Sequence, residues 1–388
     1  MPLLYNFDVE RPEELLAILA QNLQKRRLEK GLSREALTEL SGVPTPTIAK
    51  FEQKHTISLA SYVALAKALG YSKAIKELLS EPLFSTMEEL EMINKNKNRK
   101  KGLPSQPSLR AERTETMRYE EAREYLNLIS AKGNLLGLES IRVLLRELGN
   151  PQDRLKFIHV GGTNGKGSVA AYMEGALRQA GYKVGRYISP ALFSYEERIQ
   201  VNGDYITREA VARLATEIAK ARSAIARRGG PESTIFEVET AMSFLYFLEQ
   251  GCDLVLLEVG MGGREDATNI VTATVMEVLV SISMDHMEFL GSTLAEIAWN
   301  KAGIIKKHTP VVSWPQQPEA LEVIRQVCEK QEASLSVLRE EEITDRVYGL
   351  REQKFSYRGL ELTIHLAGTC QMENAALAAL ALLTLREQ

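Results

Sequence analysis

Cysteine is scarce in this 388-residue chain: Cys252, Cys328 and Cys370 are the only three. They are too few and too widely spaced for a disulfide framework or a zinc set, so a reducing, cytoplasmic setting is expected. Long apolar runs are missing as well. No window approaches the about 18 uninterrupted apolar residues that a membrane-spanning helix needs. The opening MPLLYNFDVERPEELL lacks the basic and apolar regions of a signal peptide. Neither membrane insertion nor export is expected. The chain also lacks an excess of one charge. Its formal net charge is −3, so only local clusters of charge can steer a partner.

What is present is a globular composition, 44% hydrophobic and 26% charged, at a length suited to two or three domains. Residues 1–92 read as helical throughout. In EELLAILAQNLQKRRLEKG the residues Leu15, Leu16, Leu19 and Leu23 share one face, and Gly31 ends the helix. Ser33 and Ser58 are placed as N-caps of later short helices. KAIKELLSEP adds a fifth helix. LSREALTELSGVPTPTIAKFEQ has helix-turn-helix spacing. Ala36 is small at a close crossing, Gly42 permits the turn, and Leu40, Val43 and Ile48 supply a shared core. Pro46 fits the first turn of the second helix. That helix would present Thr45, Thr47 and Lys50 to base edges and phosphates. Residues 15 to 71 resemble the Cro/repressor-like helix-turn-helix family, which implies sequence-specific DNA binding, commonly as a dimer. The alternative is a bundle that dimerises or docks a partner.

Residues 93–116, NKNKNRKKGLPSQPSLRAERTET and its edges, are polar, basic and broken by Pro104 and Pro107. They lack apolar periodicity and read as a linker. Met117 follows at the head of a new periodic helix, as at the native start of an independent protein. From 117 to 388, apolar runs alternate with helices: FIHV, KVGRYIS, DLVLLEVG, ATVMEVLVSIS and TPVVSW. That alternation predicts an α/β domain with a parallel sheet flanked by helices.

HVGGTNGKGSV, residues 159–169, follows the first of these strands. It departs from the usual phosphate loop, because Val160 occupies the first glycine position and Gly167 separates Lys166 from Ser168. The chemistry still fits. Gly162, Gly165 and Gly167, with Thr163 and Asn164 between them, let backbone N–H groups approach phosphates at the start of a helix over 168–180. Lys166 would neutralise the outer phosphates, and the Ser168 hydroxyl would lie near a metal. Glu258 ends an apolar strand, where it is either a metal ligand or an acid paired with Arg264.

These motifs, together with LLRELGNPQDRLKFI, ISPALFSYEERIQVNG, FEVETAMSFLYF, LLEVGMGGREDATNIV and SMDHMEFLGSTLAEIAWNKAGIIKK, resemble folylpolyglutamate synthase/dihydrofolate synthase of the Mur ligase superfamily. The likeness runs from 117 to about 381. It implies that the helix-turn-helix bundle is followed by a Mur-ligase-type P-loop domain that binds ATP and Mg2+. It also makes Glu258 a magnesium ligand, with Ser189 and Ser168 beside that metal. His286 and a carbamylated Lys301 become ligands of a second metal, and Asn374 lies at the ATP base. The implied reaction phosphorylates a folate or dihydropteroate carboxylate, and the amino group of L-glutamate then attacks the acyl phosphate. This sequence departs from the family at Ala191 and Cys370, where the family has histidines. The family also continues into a C-terminal domain of roughly a hundred residues. Its absence here implies a catalytically incomplete ligase, or a DNA-binding regulator with a non-catalytic ATP- or folate-binding half.

Overall fold

The computed structural model describes residues 12–78, 116–130, 137–285 and 290–387. The expected linker, apart from its last residue, lies outside the described residues. The chain falls into two compact units, 1–108 and 109–388.

In the first unit five helices are described: α1 (Pro12–Glu29), α2 (Arg34–Ser41), α3 (Thr45–Lys54), α4 (Leu59–Ala68) and α5 (Ser72–Glu77). The Ser33 and Ser58 hydroxyls accept from the N–H groups of Ala36 and Ser61, as N-caps do. Gly42 takes the left-handed conformation (φ 73°) that closes α2 and allows the turn into α3. Pro46 sits in the first turn of α3.

Two expectations about this core need correction. Leu15, Leu16 and Leu19 are exposed, and α1 turns Ala20, Leu23 and Arg27 inward instead. The stripe i, i+3, i+7 runs through a small residue, a leucine and an arginine, so leucine spacing alone points to the wrong face. Leu40 is 61% exposed, and the shared core is Leu37, Val43, Ile48, Phe51 and Leu65. Arg27 enters that core because it is neutralised there. Its guanidinium donates to both carboxylate oxygens of Glu52 (2.8 and 3.1 Å) and to the Leu32 carbonyl (2.8 Å). Arg34 donates to the same carboxylate at 2.8 Å.

The second unit opens with α6 (Tyr119–Ser130) and α7 (Glu139–Glu147). Its main sheet holds β1 (Phe157–Gly161), β2 (Val184–Tyr187), β3 (Ile199–Val201), β4 (Asp204–Tyr205), β5 (Leu254–Glu258), β6 (Thr274–Leu279), β7 (Val311–Ser313) and β8 (Leu335–Val337). The order is β4-β3-β2-β5-β1-β6-β7-β8. The five apolar runs became β1, β2, β5, β6 and β7, all mutually parallel, and β8 continues that pattern. The sheet is nevertheless mixed, because β3 and β4 add antiparallel at one edge. These two short strands fold back as a hairpin, a connection that needs no crossover helix.

Helices cover both faces. α8 (Lys166–Gln179) and α13 (Gln371–Arg386) pack with Ile158, Val160, Leu256 and Val278. On the other face α9 (Arg208–Arg227) and α10 (Ile235–Glu249) pack with Phe157, Val255 and Leu257. α11 (Leu294–Lys301) and α12 (Pro318–Lys330) bury Leu279 and Val311. A separate antiparallel sheet of β9 (Ile343–Val347), β10 (Gln353–Tyr357) and β11 (Leu360–Ile364) rests on α13.

Candidate active site

β1 lies at the centre of the sheet, with β5 on one side and β6 on the other. The crevice beyond such a strand end is where open α/β sheets place ligands. The chain leaves it through Gly162 (φ 129°) and Gly165 (φ 98°), conformations that glycine adopts without strain. A side chain at Gly162 would run into Val280, and a Cβ at Gly165 would lie 2.7 Å from Asn374 Oδ1.

Between the two glycines the loop is strapped to the segment after β6. The Thr163 N–H donates to the Ser281 carbonyl (2.7 Å), and the Ser283 N–H donates to Thr163 Oγ1 (3.1 Å). Ser281 Oγ donates to the Asn164 carbonyl (3.1 Å). α8 then begins at Lys166, two residues before the expected start, so Lys166, Gly167 and Ser168 all lie in its first turn. The unsatisfied N–H groups of that turn face an incoming anion with a favourable dipole.

Two titratable groups converge on the loop from a strand and a helix elsewhere in the unit. Glu258, the last residue of β5, is paired in register with Val160 and only 6% exposed. Its Oε2 is 3.6 Å from the position a Cβ on Gly167 would occupy. Burial pushes its carboxyl up to about 7, an effect partly offset by Lys166, Arg186 and the Ser189 N–H. The Ser189 hydroxyl is buried with no hydrogen-bond partner. Arg264, the alternative partner for Glu258, instead stacks over the Trp299 ring at 3.7 Å.

Lys301 closes α11, is 2% exposed, and donates to the Gly162 carbonyl at 3.0 Å. Burial, and then the neighbouring Lys166, bring its amine down to about 8. Lys166 Nζ donates to the carbonyls of Thr163 (3.1 Å) and Gly162 (3.3 Å). Asn374 is buried against Gly165. The structure thus brings together the loop, Ser168, Glu258, Lys301 and Asn374, with Ser189 bound to Glu258. His286 lies outside the described residues. Gln371 and Tyr172 also border the loop, and neither stood out in the sequence. The i, i+3 spacing of Gln371 and Asn374 on one helix face was the available signal.

The sequence profile of the Mur ligase middle domain matches residues 160–382. The chain belongs to the Mur ligase family. A helix-turn-helix profile matches residues 23–75. Among curated Mur ligase relatives, the Bacillus subtilis dihydrofolate synthase/folylpolyglutamate synthase is 38% identical over 270 residues, covering 68% of this chain and 63% of that protein. The Mycobacterium tuberculosis dihydrofolate synthase/folylpolyglutamate synthase is 37% identical over 262 residues, 62% of this chain and 53% of the relative. The chain therefore spans about half to two thirds of the length of these relatives. Among solved structures, the apo form of L. casei FPGS superposes with a TM-score of 0.65 at 31% identity, covering 70% of this chain and 68% of that one. An FPGS–AMPPCP–folate complex gives 0.66 at 30% identity, with 70% and 68% covered. This Mur ligase domain is thus of the folate-ligase type, and its fold is the α/β one the sequence predicts. No described helix is long and apolar enough to cross a membrane.

Proposed function

We propose that residues 117–388 bind ATP on the 162–168 loop and use it to join L-glutamate to a folate or dihydropteroate carboxylate through an acyl phosphate. The observation that carries this reading is the buried Glu258 carboxylate facing Gly167 of the phosphate loop. Lys166 and Arg186 offset the burial of this carboxylate only in part, so the site is suited to a cation that arrives with the nucleotide.

The donors fit magnesium. Glu258, the unpartnered Ser189 hydroxyl and Ser168 are hard oxygen ligands. Among the described residues no three His, Cys, Asp or Glu side chains form a self-sufficient metal cage. Phosphates and water would supply the remaining ligands, as is usual for this ion. Magnesium bound there would offset the negative charge that builds on the transferring phosphoryl group.

The chain's own residues do the rest. The first turn of α8 holds the phosphates, and Lys166 moves from the loop carbonyls to the outer phosphate. Lys301, its amine already depressed, takes up carbon dioxide as a carbamate, losing a proton as the N–C bond forms. That carbamate and His286 are our assignment for a second metal, and Asn374 for the base end of ATP. The FPGS structures with AMPPCP and with folate support the nucleotide and substrate classes. The three free cysteines fit a reducing cytoplasm.

Isothermal titration of the chain with Mg·AMPPCP tests the first half of the reading. Binding that Lys166→Ala abolishes is expected, and equal affinity in both proteins would overturn it. Folate- and glutamate-dependent ADP release tests the second half separately. Nucleotide binding without such release would leave a nucleotide-responsive regulator.

The helix-turn-helix match favours a second activity in the first unit. Lys50 is exposed and Thr47 half-buried on α3, available to a DNA groove, whereas Thr45 already bonds Thr38 across the turn (2.9 Å). We propose sequence-specific DNA binding, as a dimer. Selection from random duplexes with no enriched site would remove it.

A further inference from the structure

Ser168 and Tyr172 stand one turn apart on α8, and the Gln371 amide of α13 spans the gap between them. Tyr172 Oη donates to Gln371 Oε1 (3.3 Å), and Asn374 Nδ2 donates to the same oxygen (3.4 Å). With both donors on Oε1, the amide is oriented so that Nε2 donates to Ser168 Oγ (3.4 Å). A serine in the first turn of a helix would ordinarily turn its proton back onto the carbonyl four residues earlier. Here that carbonyl is Asn164's, and it already accepts from Ser281 Oγ at 3.1 Å. Ser168 therefore receives a hydrogen bond from behind, and among the described residues its hydroxyl is recorded only as an acceptor, with no bond to the Asn164 carbonyl. Its own proton is left for a ligand above the loop.

We infer that Gln371 is a positioning residue that sets the Ser168 hydroxyl as a donor to nucleotide phosphate. Tyr172 and Asn374 hold the amide in the orientation this requires. The inference rests on the proposal that the loop binds ATP. It assigns Gln371 an action at the phosphate end, through Ser168, and not at the base.

A base-free probe separates those two roles. Binding of Mg·AMPPCP and of Mg·tripolyphosphate to the full chain would be measured by calorimetry for wild type, Gln371→Met, Tyr172→Phe, Ser168→Ala and the Gln371→Met/Ser168→Ala double variant. Loss of a hydrogen bond that orients a charged contact is expected to weaken binding about five- to tenfold. Gln371→Met should weaken both probes alike, Tyr172→Phe should weaken both to a smaller extent, and the double variant should be no weaker than Ser168→Ala alone. Tyr172→Phe keeps the ring and the packing, so it guards against a misfolded Gln371 variant. Three results overturn the proposal: weakening confined to AMPPCP, additive losses in the double variant, or wild-type affinity in both Gln371→Met and Tyr172→Phe. If the wild-type chain binds neither probe, the ATP reading itself falls and takes this one with it. If wild type binds, Lys166→Ala does not, and Gln371→Met and Tyr172→Phe both match wild type, only the positioning role falls.

Discussion

Lys166 and Lys301 place their ammonium groups on the same acceptor, the carbonyl oxygen of Gly162, at 3.3 and 3.0 Å. Two cations on one dipole is an arrangement that phosphate would relieve by drawing off the more mobile of them. Lys166 is the half-buried partner at the helix start, and Lys301 is enclosed at the end of α11.

The enclosed lysine has a stability cost. Its folded pKa, about 8, is below the ordinary value of 10.5, chiefly through burial. The unfolded chain therefore binds the extra proton between pH 8 and 10.5, and folding stability rises with pH across that window. At pH 7 the charged, buried amine costs stability. Lys301→Met should raise stability at pH 7 by about 1–2 kcal/mol and remove the rise above pH 8. Urea unfolding at pH 7 and 9.5 measures both. A variant less stable than wild type at pH 7 would refute it.

Glu258 makes ligand binding, too, rise with pH. With burial holding its carboxyl near 7, the acid is half-protonated at neutral pH before any ligand arrives. Magnesium requires the ionised form, so Mg·AMPPCP affinity should fall as pH drops through 7, approaching tenfold per pH unit. Glu258→Gln should bind weakly and without that slope. Calorimetry from pH 5.5 to 8.5 is the check, and identical slopes would reject the assignment.

Glu277 is another buried acid, within β6, with both carboxylate oxygens unpartnered. Desolvation pushes its carboxyl up to about 8, against 4.5 ordinarily, and Lys306 offsets this only in part. Because the folded pKa is raised, its favourable contribution is complete below about pH 4.5 and disappears as pH rises through 8. Glu277→Gln should flatten that decline and stabilise the chain at pH 8 by a few kcal/mol, roughly. Thermal melts across pH 5–9 would show it, and parallel curves for the two proteins would contradict it.

In the helical unit Glu52 neutralises two arginines at once. Glu52→Ala would leave Arg27 buried without a counter-charge, and removal of one partner of such a pair costs about 3–5 kcal/mol. Hydrogen exchange over residues 20–69 should lose protection accordingly. Exchange rates unchanged from wild type would mean that water already reaches the pair.

The parallel strands β1, β2, β5, β6 and β7 were legible because they are buried and appear within unbroken apolar runs. β3 and β4 were not, since two or three residues carry no period, and neither was β8, whose three residues are only half-buried. The loop, Glu258 and Lys301 were legible through motif and residue chemistry. Gln371 was not, because its partner Ser168 is 203 positions away and only the docking of α13 on α8 joins them. The leucines of α1 show the converse failure. A period of 3.6 identifies an amphipathic helix, but the inward stripe was decided by where Arg27 could find Glu52.

The eight-stranded sheet ends in short strands, Asp204–Tyr205 on one side and Leu335–Val337 on the other. An open edge is a template on which a foreign strand can add, and its capacity grows with the number of unpaired backbone groups in a row. Two or three residues offer too few to nucleate such growth. The brevity of both margins therefore limits strand addition at either edge, and lengthening one with apolar residues would weaken that protection.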